Sequence, residues 1–161
     1  MTTTPRNAIA DQIAAELGHS FEGEIRIGGH YASAVRDGRT VWLSGQVPRV
    51  GSTVVVTGRI GAETSLDRAR EAAQICTLRA LAILRQTLGS LDAIDKILRV
   101  TVYMQTTPDF TQQSEVADAA SDLLYRVFGE AGVHTRTSVG VYSLPKNASV
   151  ELDMVLATHG D

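Results

Sequence analysis

Two segments near the C-terminus constrain the fold more than any other feature of the chain. From 135 to 142 and from 150 to 157, the residues alternate between two sets of side chains, and in each segment one set is mostly apolar. Side chains of a β-strand point to opposite faces with a period of two, so both segments are predicted to be strands. The loop 144–147, which contains Pro145, predicts that the two strands pair as an antiparallel hairpin.

The register of that hairpin predicts a polar group on one face of the sheet. If Gly140 lies opposite Glu151 and Ser138 opposite Asp153, then Arg136 shares a face with Ser138 and both acidic residues. The other face would hold the apolar residues Val139, Val141, Val150, Leu152 and Met154. An arginine with two carboxylates fits the floor of a small polar site. The same charges also fit the solvated face of a half-buried sheet, and spacing alone leaves both readings open.

The rest of the chain alternates between helical and extended patterns. Helices are predicted at 5–17, 65–88 and 112–128, and further strands at 32–36, 40–44, 53–57 and 97–104, with a short strand around Ile25 and Ile27. The helix at 65–88 has apolar residues every three or four positions, with Ser65 suited to its start and Gly89 to its end. This order predicts an α+β fold in which two long helices cover one face of a mixed β-sheet.

Composition restricts the class of partner. The 161 residues carry a net charge of −3 without a basic run, which argues against nucleic-acid binding. No segment is apolar enough to span a membrane, and the N-terminus does not resemble a signal peptide. The single Cys76 favours a reducing compartment, so a cytoplasmic protein is predicted. The four histidines are dispersed and match no metal-site spacing, so no metal is expected.

A set of motifs occurs in a fixed order between about Tyr31 and Ala157. They read L-S-G-Q-V-P, G-A-E-T-S before the long helix, V-T-V-Y-M followed by D-F, T-R-T-S-V-G-V-Y-S-L-P, and V-E-L-D. This ordered set resembles the RidA (YjgF/YER057c/UK114) family, which has the older label endoribonuclease L-PSP. A-S-D-L-L and F-G-E-A-G resemble a bacterial branch with an N-terminal helix. Residues 1–30 are therefore predicted as a helix and connector, and 31–161 as one RidA-like domain.

The resemblance implies a chorismate-mutase-like fold, assembled as a homotrimer with ligand clefts between subunits. It also implies hydrolysis of reactive enamines and imines, such as 2-aminoacrylate, to a 2-keto acid and ammonia without a metal or organic cofactor. The implied catalytic residues are Arg136, which would hold the substrate carboxylate, and Glu151, which would assist water. The implied substrate-binding residues are Tyr31, Ser44, Ser138, at a position often held by cysteine, and Ser121, where active members have asparagine.

Three functions remain open from the sequence. The first is the enamine/imine deaminase, with an imino or keto acid as its small-molecule partner. The second is a non-catalytic trimer that binds a small carboxylate or regulates another process. The third is a ribonuclease, against which the acidic net charge argues. Release of ammonia from an imino acid would separate the first two.

Overall fold

Helices and strands form two layers in the computed structural model, which describes residues 5–160. The three α-helices are α1 (Arg6–Glu16), α2 (Leu66–Leu88) and α3 (Gln113–Phe128). The seven strands are β1 (Ala34–Asp37), β2 (Thr40–Gln46), β3 (Arg49–Val50), β4 (Thr53–Val54), β5 (Ile94–Gln105), β6 (Thr135–Val141) and β7 (Val150–Thr158). All three predicted helices are confirmed to within about two residues at each end.

The long helix α2 begins and ends where its sequence predicts. The Ser65 hydroxyl accepts a hydrogen bond from the backbone N–H of Arg68 at 3.2 Å, which satisfies one of the free donors of the first turn. Gly89 follows the last turn with φ +84°, a conformation in which a side chain would be strained. Its apolar stripe is buried from Ala69 to Leu84, and Leu88 in the last turn is partly buried.

Five strands form one mixed sheet in the order β1-β2-β7-β5-β6, and β3 pairs with β4 in a separate two-stranded ribbon. Only the β5–β6 pair is parallel. The helices cover one face, where Val150, Leu152, Met154 and Leu156 of β7 are buried. The predicted α+β architecture, a mixed sheet with two long helices on one face, is confirmed.

The predicted terminal hairpin is wrong, because β5 lies between β6 and β7. The chain leaves β5, passes through α3 and returns as β6 parallel to β5, which is the usual result of a helical crossover between neighbouring strands. β6 takes the sheet edge on one side of β5, and β7 pairs with β5 on the other side. The short loop after β6 therefore carries the chain past β5 instead of closing a hairpin.

The true register divides the residues that the hairpin would have joined. Val102 of β5 lies opposite both Ser138 and Leu152, so Ser138 is on the helix-covered face, together with Arg136 two positions earlier. Tyr103 lies opposite Glu151, which is on the uncovered face. The predicted common face for the arginine and the carboxylates is therefore wrong. Val139 and Val141 also lie on the uncovered face, opposite to the prediction.

Three smaller predictions also need correction. The segment around Ile25 and Ile27 contains no strand, and within the extended run 53–57 only β4 is a strand, with an isolated bridge from Thr57 to Ala148. Leu98, expected in the buried row of β5, is 38% exposed because an irregularity between Ile97 and Arg99 reverses the alternation. Trp42 lies on the uncovered face, where it is 56% exposed.

Within residues 5–160, no helix combines the length and the apolar character needed to cross a membrane.

Candidate functional site

Arg136 is held on the helix side of the sheet edge by groups from α3. Its Nη1 donates to Asp118 Oδ1 at 2.9 Å and to Ser121 Oγ at 3.0 Å. The arginine side chain is 21% exposed and that of Asp118 is 54% exposed, so this ion pair lies at the rim of the fold. We call Arg136, Asp118, Ser121 and His134 the arginine cluster. The arginine cluster lies at the start of β6, which is an edge strand and pairs only with β5 among the described residues.

His134 fixes the direction of the hydrogen bonds inside the arginine cluster. Its Nδ1 is 2.6 Å from the carbonyl oxygen of Gly132, and a carbonyl can only accept, so Nδ1 carries the proton. Nε2 of the neutral ring then accepts from the Ser121 hydroxyl at 2.9 Å. Burial lowers the pKa of His134, the Gly132 carbonyl opposes that shift, and the positive charge of Arg136 adds to it. The neutral ring leaves the Ser121 oxygen free to accept from Arg136.

One edge of the Arg136 guanidinium remains available to a ligand. Nη1 makes both strong contacts, whereas Nη2 reaches only the carbonyl oxygen of Ser114 at 3.5 Å. Nε makes no hydrogen bond within residues 5–160. The Nε–Nη2 edge has the spacing that matches the two oxygens of a carboxylate. Arg136 can therefore bind a carboxylate side-on while Asp118 and Ser121 hold its other nitrogen.

Glu151 lies on the uncovered face, half-buried against β2. A Cβ atom at Gly45 would lie 2.1 Å from Glu151 Oε1, so the carboxylate occupies the space that the glycine leaves. Gly45 stands in an irregularity of β2 between Leu43 and Gln46, which brings the backbone close to the carboxylate. Burial raises the pKa of Glu151, and the negative charge of Asp153 raises it further.

The Glu151 carboxylate has no hydrogen bond or ion pair within the described part of the chain. Its neighbour Asp153 accepts from the hydroxyl of Tyr103 at 3.2 Å. Burial raises the pKa of that tyrosine, and the charge on Asp153 adds to the shift. A half-buried carboxylate with a raised pKa and free oxygens can accept a proton from water.

The two other predicted pocket residues, Ser44 and Tyr31, belong to β2 and to the segment before β1. Ser44 directly precedes Gly45, and its hydroxyl and carbonyl oxygens accept from the Gln46 side chain at 3.3 and 3.1 Å. Tyr31 is 54% exposed, and its ring packs on Gly29 so closely that a Cβ there would be 2.6 Å from it. We call Ser44, Gly45 and Glu151 the carboxylate cluster.

The predicted site residues thus form two groups that do not meet within one chain. Arg136, Ser138 and Ser121 belong to the helix-covered side of the β6 edge, whereas the carboxylate cluster lies on the other face. β5 lies between β6, which carries Arg136, and β7, which carries Glu151. The backbones of β6 and β7 are therefore roughly 10 Å apart. The sequence did not predict a role for Asp118 or Gly45. Asp118 and Ser121 are three apart on one helix, a spacing that places both on one helix face.

Two alternatives for the chemistry receive no structural support. Cys76 is completely buried, and burial raises the pKa of its thiol well above the ordinary value, so it does not supply a nucleophile. Across residues 5–160, no three histidine, cysteine or carboxylate side chains are grouped so that they could hold a metal ion.

Comparison with known proteins gives consistent similarities over most of the chain. Residues 14–157 match the family model described as "YjgF/chorismate_mutase-like, putative endoribonuclease". The chain is 38% identical over 128 residues to Protein TCP17 of Trypanosoma cruzi, covering 79% of this chain and 80% of that protein. It is 29% identical over 129 residues to a 2-iminobutanoate/2-iminopropanoate deaminase of Dermatophagoides farinae, covering 80% of this chain and 85% of that protein.

Among solved structures, the protein Atu1372 of Agrobacterium tumefaciens, whose function is unknown, superposes with a TM-score of 0.86. The two sequences are 30% identical, and the match covers 96% of each chain.

Proposed function

The chain belongs to the YjgF/chorismate-mutase-like (RidA) family, and on that premise we propose that it hydrolyses reactive 2-imino and 2-enamino acids to 2-keto acids and ammonia. The observation that carries the proposal is the Glu151 carboxylate, which is half-buried, has a raised pKa and makes no hydrogen bond within the described residues. The deaminase of Dermatophagoides farinae supports the reaction class. A cytoplasmic location remains a prediction.

Arg136 would bind the substrate carboxylate through its Nε–Nη2 edge. Asp118 and Ser121 hold the guanidinium at Nη1, so little side-chain freedom would be lost when the substrate binds. A side-on arginine fixes both oxygens of a carboxylate and therefore the plane of the adjacent imine. Ser138, two residues further along β6 on the same face, would line the cleft beside that imine, with Ser121 beneath the arginine.

Glu151 would take a proton from the attacking water. The water oxygen bonds to the imine carbon, the C=N electron pair moves to nitrogen, and Glu151 delivers the proton it took from water to that nitrogen, which gives a carbinolamine. Glu151 then takes the proton of the carbinolamine hydroxyl as the C=O bond forms and the C–N bond breaks, and it passes that proton to the leaving nitrogen, which departs as ammonia. Tyr31 and Ser44 would line the pocket beside the water. A 2-imino acid is already electrophilic, so positioning and one proton-transfer group suffice.

We propose that the active assembly is a homotrimer, because the arginine and carboxylate clusters can meet only across a subunit interface. Three features support this assembly. Within residues 5–160, β6 is an edge strand that pairs on one side only, and no element covers the sheet face opposite the helices. Trp42, Val35 and Val139 are exposed on that face. In this assembly the arginine cluster of one subunit faces the carboxylate cluster of its neighbour.

The test is keto-acid and ammonia release from 2-aminoacrylate generated in situ from an amino acid by a separate enzyme. We expect the wild type to accelerate release and Arg136→Ala to lose at least about 100-fold in kcat/KM, since a charged contact to the substrate disappears. Arg126→Ala is the matched control, because it removes an exposed arginine whose partner is Glu16 on α1. It should retain wild-type activity.

The outcomes separate the alternatives. No acceleration by a folded, correctly assembled wild type with several amino-acid-derived imines would refute the deaminase. Binding of the 2-keto acid that depends on Arg136, without turnover, would then favour the binding protein. Cleavage of RNA that survives Arg136→Ala would favour the ribonuclease.

A further inference from the structure

Two arginines lie together beside the carboxylate cluster without an acidic partner. Arg49 is on β3 and Arg79 is in the middle of α2, and the connector 26–28 passes over both side chains. The Arg79 side chain donates to the carbonyl oxygen of Arg26 at 2.8 Å, and a Cβ at Gly28 would be 3.7 Å from Arg49 Nη1. We call Arg49 and Arg79 the arginine pair.

Arg79 is held firmly but only by neutral groups. The residue is 4% exposed, so its charge is almost completely removed from water. Nε donates to Gln46 Oε1 at 2.8 Å and Nη2 to the Arg26 carbonyl, and Nη1 makes no hydrogen bond within residues 5–160. Burial lowers the pKa of Arg79, and the positive charge of Arg49 lowers it further. Nη1 is thus left for a ligand.

Arg49 has an unsatisfied donor inside the fold. Its Nε is buried and has no hydrogen-bond partner, the only such side-chain nitrogen or oxygen among the described residues. A buried guanidinium N–H without an acceptor costs free energy, and a second positive charge nearby adds to that cost. Neither arginine forms a salt bridge within residues 5–160. The fold therefore places two cations near each other and leaves Arg49 Nε and Arg79 Nη1 without an acceptor among the described residues.

We propose that the arginine pair is a binding site for a small oxyanion, a phosphate or carboxylate group, separate from Arg136. Such an anion would accept from Arg49 Nε and from Arg79 Nη1, and it would offset the repulsion between the two charges. Gln46 connects Arg79 to Ser44, so a bound anion would sit at one border of the carboxylate cluster.

Thermal unfolding with inorganic phosphate tests the site. With phosphate at about ten times its dissociation constant, and ionic strength matched with chloride, we expect the wild-type Tm to rise by about 3–5 °C, because a ligand of the folded state stabilises it. The Arg49 Nε–H resonance should also shift on titration. Succinate in a second arm distinguishes the source: a response to phosphate alone assigns a phosphate group, and one to succinate alone assigns a carboxylate.

Two variants with the same change in charge make the test specific. Arg49→Gln should lose the Tm response to both anions, and without anion it should be no less stable than the wild type. Arg26→Gln removes a largely exposed guanidinium from the adjacent connector and should respond as the wild type does. The proposal is overturned if neither anion raises the wild-type Tm, if Arg49→Gln keeps the response, or if Arg26→Gln loses it.

Discussion

Burial displaces the pKa values of two side chains in the candidate site, each toward its uncharged form. Glu151 is half-buried against Gly45, which raises its pKa, and His134 is half-buried between α3 and β6, which lowers its pKa. The two groups therefore make opposite contributions to the pH dependence of stability. Each contribution can be isolated with one isosteric or nearly isosteric substitution.

Replacing Glu151 with Gln should separate activity from stability. If Glu151 is the proton acceptor, the variant loses about 100-fold or more in kcat, and the ascending limb of the wild-type pH–rate profile lies above the ordinary glutamate value of 4.5. Because the folded-state pKa is raised, the carboxylate destabilises the protein increasingly as pH rises through that pKa. Glu151→Gln should thus have a Tm equal to or slightly above the wild type at neutral pH.

The measurement is a pair of pH series, one of imine hydrolysis and one of thermal unfolding. Asp95→Asn, which removes an exposed carboxylate paired with Arg39, serves as the matched control and should leave activity unchanged. A Glu151→Gln variant that remains fully active would exclude Glu151 as the proton acceptor.

His134 should make the fold sensitive to mild acid. Its folded-state pKa lies below the ordinary value of 6.5, so its stabilising contribution is complete above that value and is lost as pH falls below it. Once Nε2 is protonated, it can no longer accept from the Ser121 hydroxyl. Ser121 then loses the hydrogen bond that orients its oxygen toward Arg136. His134→Gln should flatten the change in unfolding free energy between neutral and mildly acidic pH, measured by urea denaturation.

The same experiment has a kinetic readout. For the wild type, KM should rise as His134 is protonated, because the arginine cluster loses its order, while His134→Gln should show no such rise. An unchanged pH dependence in the variant would contradict the role assigned to His134.

At the scale of the elements, β5 shows how a single irregularity decides which residues form the core. Ile97 is completely buried and Leu98 is 38% exposed, although simple alternation along 97–104 predicts the reverse. The register with β7 shifts between Ile97 and Arg99, and the strand regains its regular alternation from Val100 onward. The central strand is thereby able to bury apolar residues on both sides of the irregularity.

The two adjacent residues of β5 should respond very differently to truncation. We expect Ile97→Ala to lower the free energy of unfolding by about 2–5 kcal/mol, because it leaves a cavity under the helices. Leu98→Ala should cost roughly 1 kcal/mol or less, since much of that side chain already contacts solvent. Urea denaturation of both variants checks the prediction. Equal losses would mean that the irregularity is absent in solution.

At the scale of the whole molecule, the separation of the two clusters leads to a test of assembly. Arg136 and Glu151 lie on opposite faces with β5 between them, so a site that uses both must take them from different subunits. The homotrimer predicts a particle mass about three times the 17.2 kDa of the chain. Light scattering after size exclusion measures that mass, and Trp42→Glu on the uncovered face should reduce it.

Mixing two inactive variants gives a sharper result. When Arg136→Ala and Glu151→Gln chains are unfolded and refolded together in equal amounts, some mixed trimers combine an intact Arg136 with the neighbour's intact Glu151. Random assembly should restore about a quarter of the wild-type activity. Each variant refolded alone is the control and should stay inactive. Failure of correctly formed mixed trimers to regain activity would refute a site shared between subunits.

The sequence by itself determined the elements and the family. Helix α2 could be predicted almost to the residue because a cap, an apolar period and a terminal glycine are all local signals. The sequence also allowed recognition of the alternating residues of β7 and of the motifs around Arg136 and Glu151. Side-chain periodicity depends only on the backbone of one segment, so it can be read without knowledge of the fold.

Tertiary structure alone decided which strands are neighbours and which face each residue occupies. Two alternating strands joined by a short loop look the same in sequence whether they pair directly or lie on either side of a third strand. The crossover through α3 puts β6 parallel to β5 at the sheet edge, and this pairing sends Arg136 and Glu151 to opposite faces. The proximity of Arg49 to Arg79 likewise depends on how α2 packs beside β3. The positions of these charged groups depend on contacts between segments that are far apart in the sequence, and no local pattern encodes such contacts.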